Sequence, residues 1–207
     1  MHNLCEIDYE KYIKNGGKKE KYELLDSKYY ETLILYPEIK IFSDNINLIM
    51  EELNNTTCKW NTSMESELDI IPIYGFKKFS KLSVFFPILK SIVENNKYIE
   101  LITFSKMKKN TFLKPHQDYD LVCNNTIRTH LGLKVPEKCG LWVEGEKKSI
   151  ETGQLISFDS SKTHSAFNLS NEERICLIID IERPSFIKYG NSKNHVTEAY
   201  LNYVNES

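Results

Sequence analysis

His116-Gln117-Asp118 sets an imidazole and a carboxylate two positions apart, so on an extended segment both side chains emerge on one side. A third donor far along the chain, His164, would complete a facial set of two histidines and one carboxylate. Such a set binds iron(II) and leaves half of its octahedral sphere open, which a chelating 2-oxo acid and dioxygen both require. A His-x-Asp triplet is common by chance, and a single histidine is more often a surface or satisfied core residue than a ligand. A second feature bears on the same chemistry. Arg174 lies ten positions after His164, where a guanidinium fork could hold the far carboxylate of a 2-oxo dicarboxylic acid. Read without the histidines, Arg174 could equally be a surface residue at a strand edge.

These residues need a scaffold, and the chain from residue 97 onward has the texture of one. Short β-like runs are predicted at 99–105, 126–134, 140–143, 154–158, 164–169 and 174–182, separated by turn residues as in an antiparallel sandwich. Gly145 and Gly153 predict a hairpin between the third and fourth of these runs, with Ser149-Ile150 as a possible extra strand. Alternation divides the two longest runs. Ile127, Thr129, Leu131 and Leu133 share one face, against Arg128, His130 and Gly132. Ile175, Leu177, Ile179 and Ile181 share another, against Arg174, Cys176, Ile178 and Asp180. One apolar face and one face with isolated polar groups is the pattern of a sandwich whose interior opens into a polar pocket.

The first ninety or so residues read as helices and loops. Ser43 is a candidate N-cap for a helix to about residue 54, striped by Ile46, Ile49, Met50 and Leu53. A second helix is expected over 81–95, with Pro87 either tolerated early in it or marking its start. Residues 54–66 read as a loop, and 188–207 as a tail ending in a short helix. The expected organisation is a single domain over 1–207: an N-terminal helical layer over 1–96, a catalytic core over 97–184 and a tail over 185–207. Its fold class is mainly β with flanking helices.

Composition narrows the function classes. At 207 residues with 41% hydrophobic and 27% charged residues, the chain has the balance of a globular domain with its own core. A net charge of -2 gives no reason to expect nucleic acid as a partner, since phosphate binding needs a concentrated basic surface. No apolar run is long enough to span a bilayer, and residues 1–10 lack the pattern of a secretory leader, so no membrane and a cytoplasmic setting are expected. Cys5, Cys58, Cys123, Cys139 and Cys176 are odd in number and lack metal-binding spacing, which points to reduced thiols.

Several runs in fixed order now combine: Phe104-Ser105, Pro115-His116-Gln117-Asp118, Arg128-Thr129-His130-Leu131-Gly132-Leu133, Val135-Pro136, Phe158-Asp159-Ser160-Ser161 before His164, then Asn168, Arg174, Asp180 and Arg183-Pro184. Together they resemble the aspartyl/asparaginyl β-hydroxylases. The resemblance implies a double-stranded β-helix (jelly-roll, cupin-like) core and a reaction that couples oxidative decarboxylation of 2-oxoglutarate to hydroxylation of an unactivated C–H bond. It implies that His116, Asp118 and His164 bind Fe(II), and that Arg174 with Ser105 holds the distal carboxylate of 2-oxoglutarate. His130 and Arg128 would contact the proximal carboxylate or an acidic group of the substrate, and O2 is the second co-substrate. The expected substrate is an amino-acid side chain, in a peptide or free. A non-catalytic sandwich module, a hydroxylase of a lipid or other small molecule, and a cupin-like enzyme with another metal are the competing readings. The chain departs from the family where a Pro-Gly turn usually precedes the first histidine, since Lys109-Asn110-Thr111 stands there.

Overall fold

The computed structural model describes residues 24–62 and 68–196. Its centre is a pair of facing antiparallel sheets. The major sheet runs in the order β1 (Tyr29–Tyr30), β10 (Leu155–Phe158), β7 (Thr126–Lys134), β12 (Arg174–Glu182), β5 (Ile99–Met107), β3 (Leu68–Gly75) and β2 (Asn61–Thr62), with β4 (Lys78–Phe79) paired to β3. The minor sheet runs β6 (Thr111–Phe112), β11 (His164–Asn168), β8 (Cys139–Val143) and β9 (Glu146–Ser149). From β5 onward the chain passes back and forth between the sheets: β5, β7, β10 and β12 lie in the major one, and β6, β8, β9 and β11 in the minor one. This alternating winding is a double-stranded β-helix, as expected.

The predicted face assignments hold. Ile127, Leu131 and Leu133 of β7 and Leu177, Ile179 and Ile181 of β12 enter one core on the outer face of the major sheet. There they meet Leu35 of α1 (Thr32–Leu35) and Phe42, Ile49, Leu53, Phe86, Leu89, Ile92 and Val93, which come from α2 (Lys40–Asp44), α3 (Ile46–Asn55), α4 (Pro87–Glu94) and the residue preceding α4. A second core fills part of the space between the sheets, with Met107, Leu141, Val143, Ile156, Phe158, Ala166 and Cys176. The central strands of the major sheet are therefore buried on both faces, and their inward face must carry both this core and the polar pocket.

Several local expectations are corrected. Ser43 caps nothing: it lies inside α2, donates to the Lys40 carbonyl, and α3 begins beyond it at Ile46. The helix expected over 81–95 is split, because Phe86 takes φ -130 and ψ 59, outside the α region that a following proline disfavours. A 3-10 turn, Lys81–Phe85, precedes the break. After it, Pro87 opens α4, and the Glu52 carboxylate of α3 accepts from the N–H groups of Ile88 and Leu89 that the new helix leaves unpaired. The N-terminal region is not only helix and loop. Leu68–Gly75 is an eight-residue strand paired along β5, and Pro72, which argues against a strand in sequence, is accommodated at a bulge between Pro72 and Tyr74.

The expected hairpin also pairs differently. Glu144 (φ 40) and Gly145 (φ 88) make a two-residue turn joining β8 to β9, while β10 leaves for the other sheet after Gly153 (φ 84). The short helix expected at the end of 188–207 lies outside the described residues, which stop at 196, as does Cys5. Cys58, Cys123, Cys139 and Cys176 are free thiols, and among the described residues no helix is long and apolar enough to cross a membrane.

At Gly132 another segment of backbone comes too close for a side chain. A β-carbon there would stand 2.2 Å from the backbone oxygen of Glu151, and backbone cannot swing aside as a side chain can. Gly132→Ala is expected to cost about 1–3 kcal/mol of stability, read as a lowered midpoint of thermal unfolding.

Candidate functional site

The two histidines meet through their backbones. His116 N–H donates to the His164 carbonyl at 3.0 Å, and His164 N–H donates back to the His116 carbonyl at 2.8 Å. This isolated antiparallel bridge lays His116 beside His164, whose strand is paired on its other side with β8. Two residues on, Asp118 N–H donates to the Ser160 carbonyl at 3.1 Å, which ties the acid to the loop leading into His164. The loop itself is clamped. Asp159 accepts from Ser161 N–H and hydroxyl, and pairs with the Arg183 guanidinium at 2.7 and 3.0 Å. Arg183 in turn donates to the carbonyls of Cys123 and Lys188. The Phe-Asp-Ser-Ser run is thus a structural brace for the second histidine, a role its sequence does not announce.

Ring orientation follows from the carbonyls nearby. His116 Nδ1 lies 2.7 Å from the Lys114 oxygen and His164 Nδ1 lies 3.0 Å from the Lys162 oxygen. A carbonyl can only accept, so each Nδ1 carries the proton and each Nε2 keeps its lone pair for the pocket. Those Nε2 atoms are 3.8 Å (His116) and 3.9 Å (His164) from Asp118 Oδ1. Ligand atoms of all three lie within 4.8 Å of one another, the one such cluster among the described residues. Backbone carbonyls holding the far nitrogens of metal-binding histidines are a usual arrangement around a metal site. The donor set, with two imidazoles and one anionic oxygen, suits a divalent first-row ion such as iron(II).

The strands complete the pocket. Ser105 comes from β5, Arg128 and His130 from β7, and Arg174 and Ile178 from β12, all lining the same cavity as the triad, together with Leu68, Met107, Leu113, Leu141 and Ala166. All seven polar residues singled out in the sequence are brought to this one cavity. Arg174 is 3% exposed, yet its nitrogens meet only the Cys176 sulfur, the Gly140 carbonyl and His130 Nδ1. Among the described residues it has no carboxylate partner. A buried cation without an anion is costly, so an anionic ligand reaching this position would supply the missing counter-charge. The contact also sets the His130 tautomer: Arg174 can only donate, so Nδ1 accepts and Nε2 carries the proton. Phe158 packs against both the His130 and His164 rings, at 5.3 and 5.2 Å between centroids.

Arg128, which lines the cavity, already meets two carboxylates of the protein. Its Nε and Nη2 each donate to Asp180 at 2.7 Å, and its Nη1 stands 2.6 Å from Asp118 Oδ2. Asp180 carried no assigned role in the sequence, although it faces the same side of β12 as Arg174. Burial would raise the Asp118 carboxyl, but Arg128, then His164 and His116, outweigh it and hold it below the usual carboxylate range. Asp180 is raised by its burial, against the pull of Arg128.

Burial lowers the His164 imidazole to about 4 and, with Arg174 as the next cause, holds His130 well below its ordinary value. Both are neutral in the fold, while in the unfolded chain each takes up a proton from about pH 6.5 downward. The unfolded state then binds more protons, so unfolding free energy must fall as pH falls, by up to roughly 1.4 kcal/mol per pH unit for each histidine. Urea unfolding of metal-free protein between about pH 7 and about pH 5 is expected to have this slope, and His130→Asn to have a shallower one.

The chain is 38% identical over 65 residues to aspartate beta-hydroxylase domain-containing protein 2 of Homo sapiens, covering 30% of this chain and 18% of that protein. It is 33% identical over 64 residues to the ornithine lipid ester-linked acyl 2-hydroxylase of Rhizobium tropici, covering 30% of this chain and 23% of that one. The aligned part thus spans less than a quarter of the length of either relative. The crystal structure of an oxidoreductase of the 2OG-Fe(II) oxygenase family from Burkholderia pseudomallei superposes with a TM-score of 0.51 at 11% identity, over 74% of this chain and 82% of that one, a likeness of fold. The family model described as aspartyl/asparaginyl beta-hydroxylase matches residues 43–184. Because that span takes in every strand that carries a pocket residue, and both α3 and α4 behind the major sheet, the chain belongs to the aspartyl/asparaginyl β-hydroxylase family.

Proposed function

We propose that this chain is an iron(II)- and 2-oxoglutarate-dependent dioxygenase that hydroxylates an unactivated C–H bond, with the β-carbon of an aspartate- or asparagine-type residue, peptidyl or free, as its target. The observation that carries this reading is the shared cavity: a His116, Asp118, His164 cluster at one side and a buried, anion-less Arg174 at another. A metal-chelating dicarboxylate is the ligand class that satisfies both at once.

Each residue then has a task. His116, Asp118 and His164 would hold the ion through two Nε2 atoms and one carboxylate oxygen. Iron(II), when bound with dioxygen and the 2-oxo acid, supplies the oxidising power, and the co-substrate leaves as succinate and carbon dioxide. Arg174 takes the distal carboxylate in its fork, and Ser105, buried on the neighbouring strand, adds a hydroxyl to it. His130, with its proton on Nε2, offers a donor to the inner carboxylate or to the substrate. Leu141, Ala166 and Ile178 keep water from the reacting carbon. A second reading, an acyl chain as substrate, is favoured by the apolar residues around the triad and by the similarity to a lipid acyl hydroxylase.

Turnover is tested by succinate release over free amino acids, peptides containing aspartate or asparagine, and acyl esters, with mass spectrometry reading the gain of one oxygen. His164→Ala is expected to abolish substrate-stimulated succinate formation, and full activity in that variant would end the assignment. Arg174→Met makes a separate prediction. The metal-free variant should unfold at the same temperature as the parent or higher, since an uncompensated buried charge is gone, while 2-oxoglutarate with iron(II) no longer raises the midpoint. A variant still stabilised by 2-oxoglutarate would remove Arg174 from the site.

A further inference from the structure

Arg128 and Asp180 stand directly opposite one another across β7 and β12. Their pairing uses both Asp180 oxygens and two guanidinium nitrogens, and the third nitrogen reaches Asp118 Oδ2 at 2.6 Å. Each of the three nitrogens therefore faces a carboxylate, two through hydrogen bonds to Asp180 and one through a close ion pair with Asp118. Asp118 Oδ1 is the oxygen left toward both histidine Nε2 atoms. The geometry assigns Asp180 and Arg128 to one positioning device, which fixes the oxygen that Asp118 presents to a metal ion and withholds Arg128 from substrate. The assignment rests on the metal-site reading above and deepens it: an acidic group on the substrate is not anchored by Arg128.

Charge and burial both argue for this. A lone guanidinium beside a divalent ion would repel it. With Asp180 as counter-ion, Asp118, Arg128 and Asp180 together present a net single negative charge, the same as one ligating carboxylate. Asp180 is 0% exposed, so swinging Arg128 toward a substrate would strand a buried carboxylate without compensation. The pair is also fixed in register, because β7 and β12 are the central strands and are paired along their whole lengths.

The test reads metal binding without turnover. Cobalt(II) or manganese(II) is titrated into the full chain by calorimetry, with thermal unfolding of each metal-free variant recorded alongside. Asp180→Asn and Arg128→Gln are expected to bind the ion about 10–100-fold more weakly, and the double variant no more weakly than the poorer single, since the pair acts as a unit. Arg128→Lys keeps the charge but loses the fork, so it should fall between parent and Arg128→Gln, and it carries the test where Asp180→Asn does not fold. Folded Arg128 variants with the parent's metal affinity but a raised KM for an acidic substrate would overturn the assignment and return Arg128 to substrate binding. Failure of the underlying metal-site reading looks different: the parent itself would bind no ion, or His164→Ala would bind it equally well.

Discussion

The pocket depends on two backbone hydrogen bonds, the reciprocal pair between His116 and His164. They join the segment after β6 to the start of β11, and without them two imidazoles far apart in the chain have no reason to share a cavity. Everything near them serves that bridge. The Lys114 and Lys162 carbonyls turn the rings, the Ser160 carbonyl anchors Asp118, and the Asp159–Arg183 pair keeps the loop that carries Ser160 from relaxing. These contacts are mostly main-chain, and strand geometry makes main-chain contacts rigid. A site built this way is set before any ligand arrives.

The inward face of the major sheet meets its electrostatic demands in two opposite ways. At Arg128 the positive charge is neutralised within the protein, by Asp180 opposite it and Asp118 above it. At Arg174, on the same strand as Asp180, the charge meets only neutral partners. Both arginines lie on the pocket face of central strands, Arg174 buried and Arg128 partly exposed. Their partners distinguish them. One is paired with carboxylates of the protein, and the other is buried without one among the described residues.

Packing supplies the stiffness that this arrangement needs. The major sheet has an apolar core on its outer face, where α3 and α4 seal it, so its strands cannot shift register without moving Leu131, Leu177 and Ile179 out of that core. Phe158 does a similar job on the inner face, wedged against His130 and His164. The helical layer therefore contributes to the site from behind, by holding the strands that carry it.

Six strands of the double-stranded β-helix were legible in the chain with nearly their observed limits, and so was the face on which each β7 and β12 side chain lies. The reason is local: alternation has a period of two, and a strand buried on one side writes that period into its own residues. The triad, Ser105, His130 and Arg174 were singled out chiefly by the order of their runs and the family these resemble, and the fold brings all of them to one cavity. What tertiary structure decided is pairing. Which strand follows β8 in its sheet, that Leu68–Gly75 with its proline is a strand at all, and that Arg128 belongs to Asp180 all depend on register between segments distant in sequence. Register is a property of two strands at once, held by backbone bonds and by cores that neither strand encodes alone.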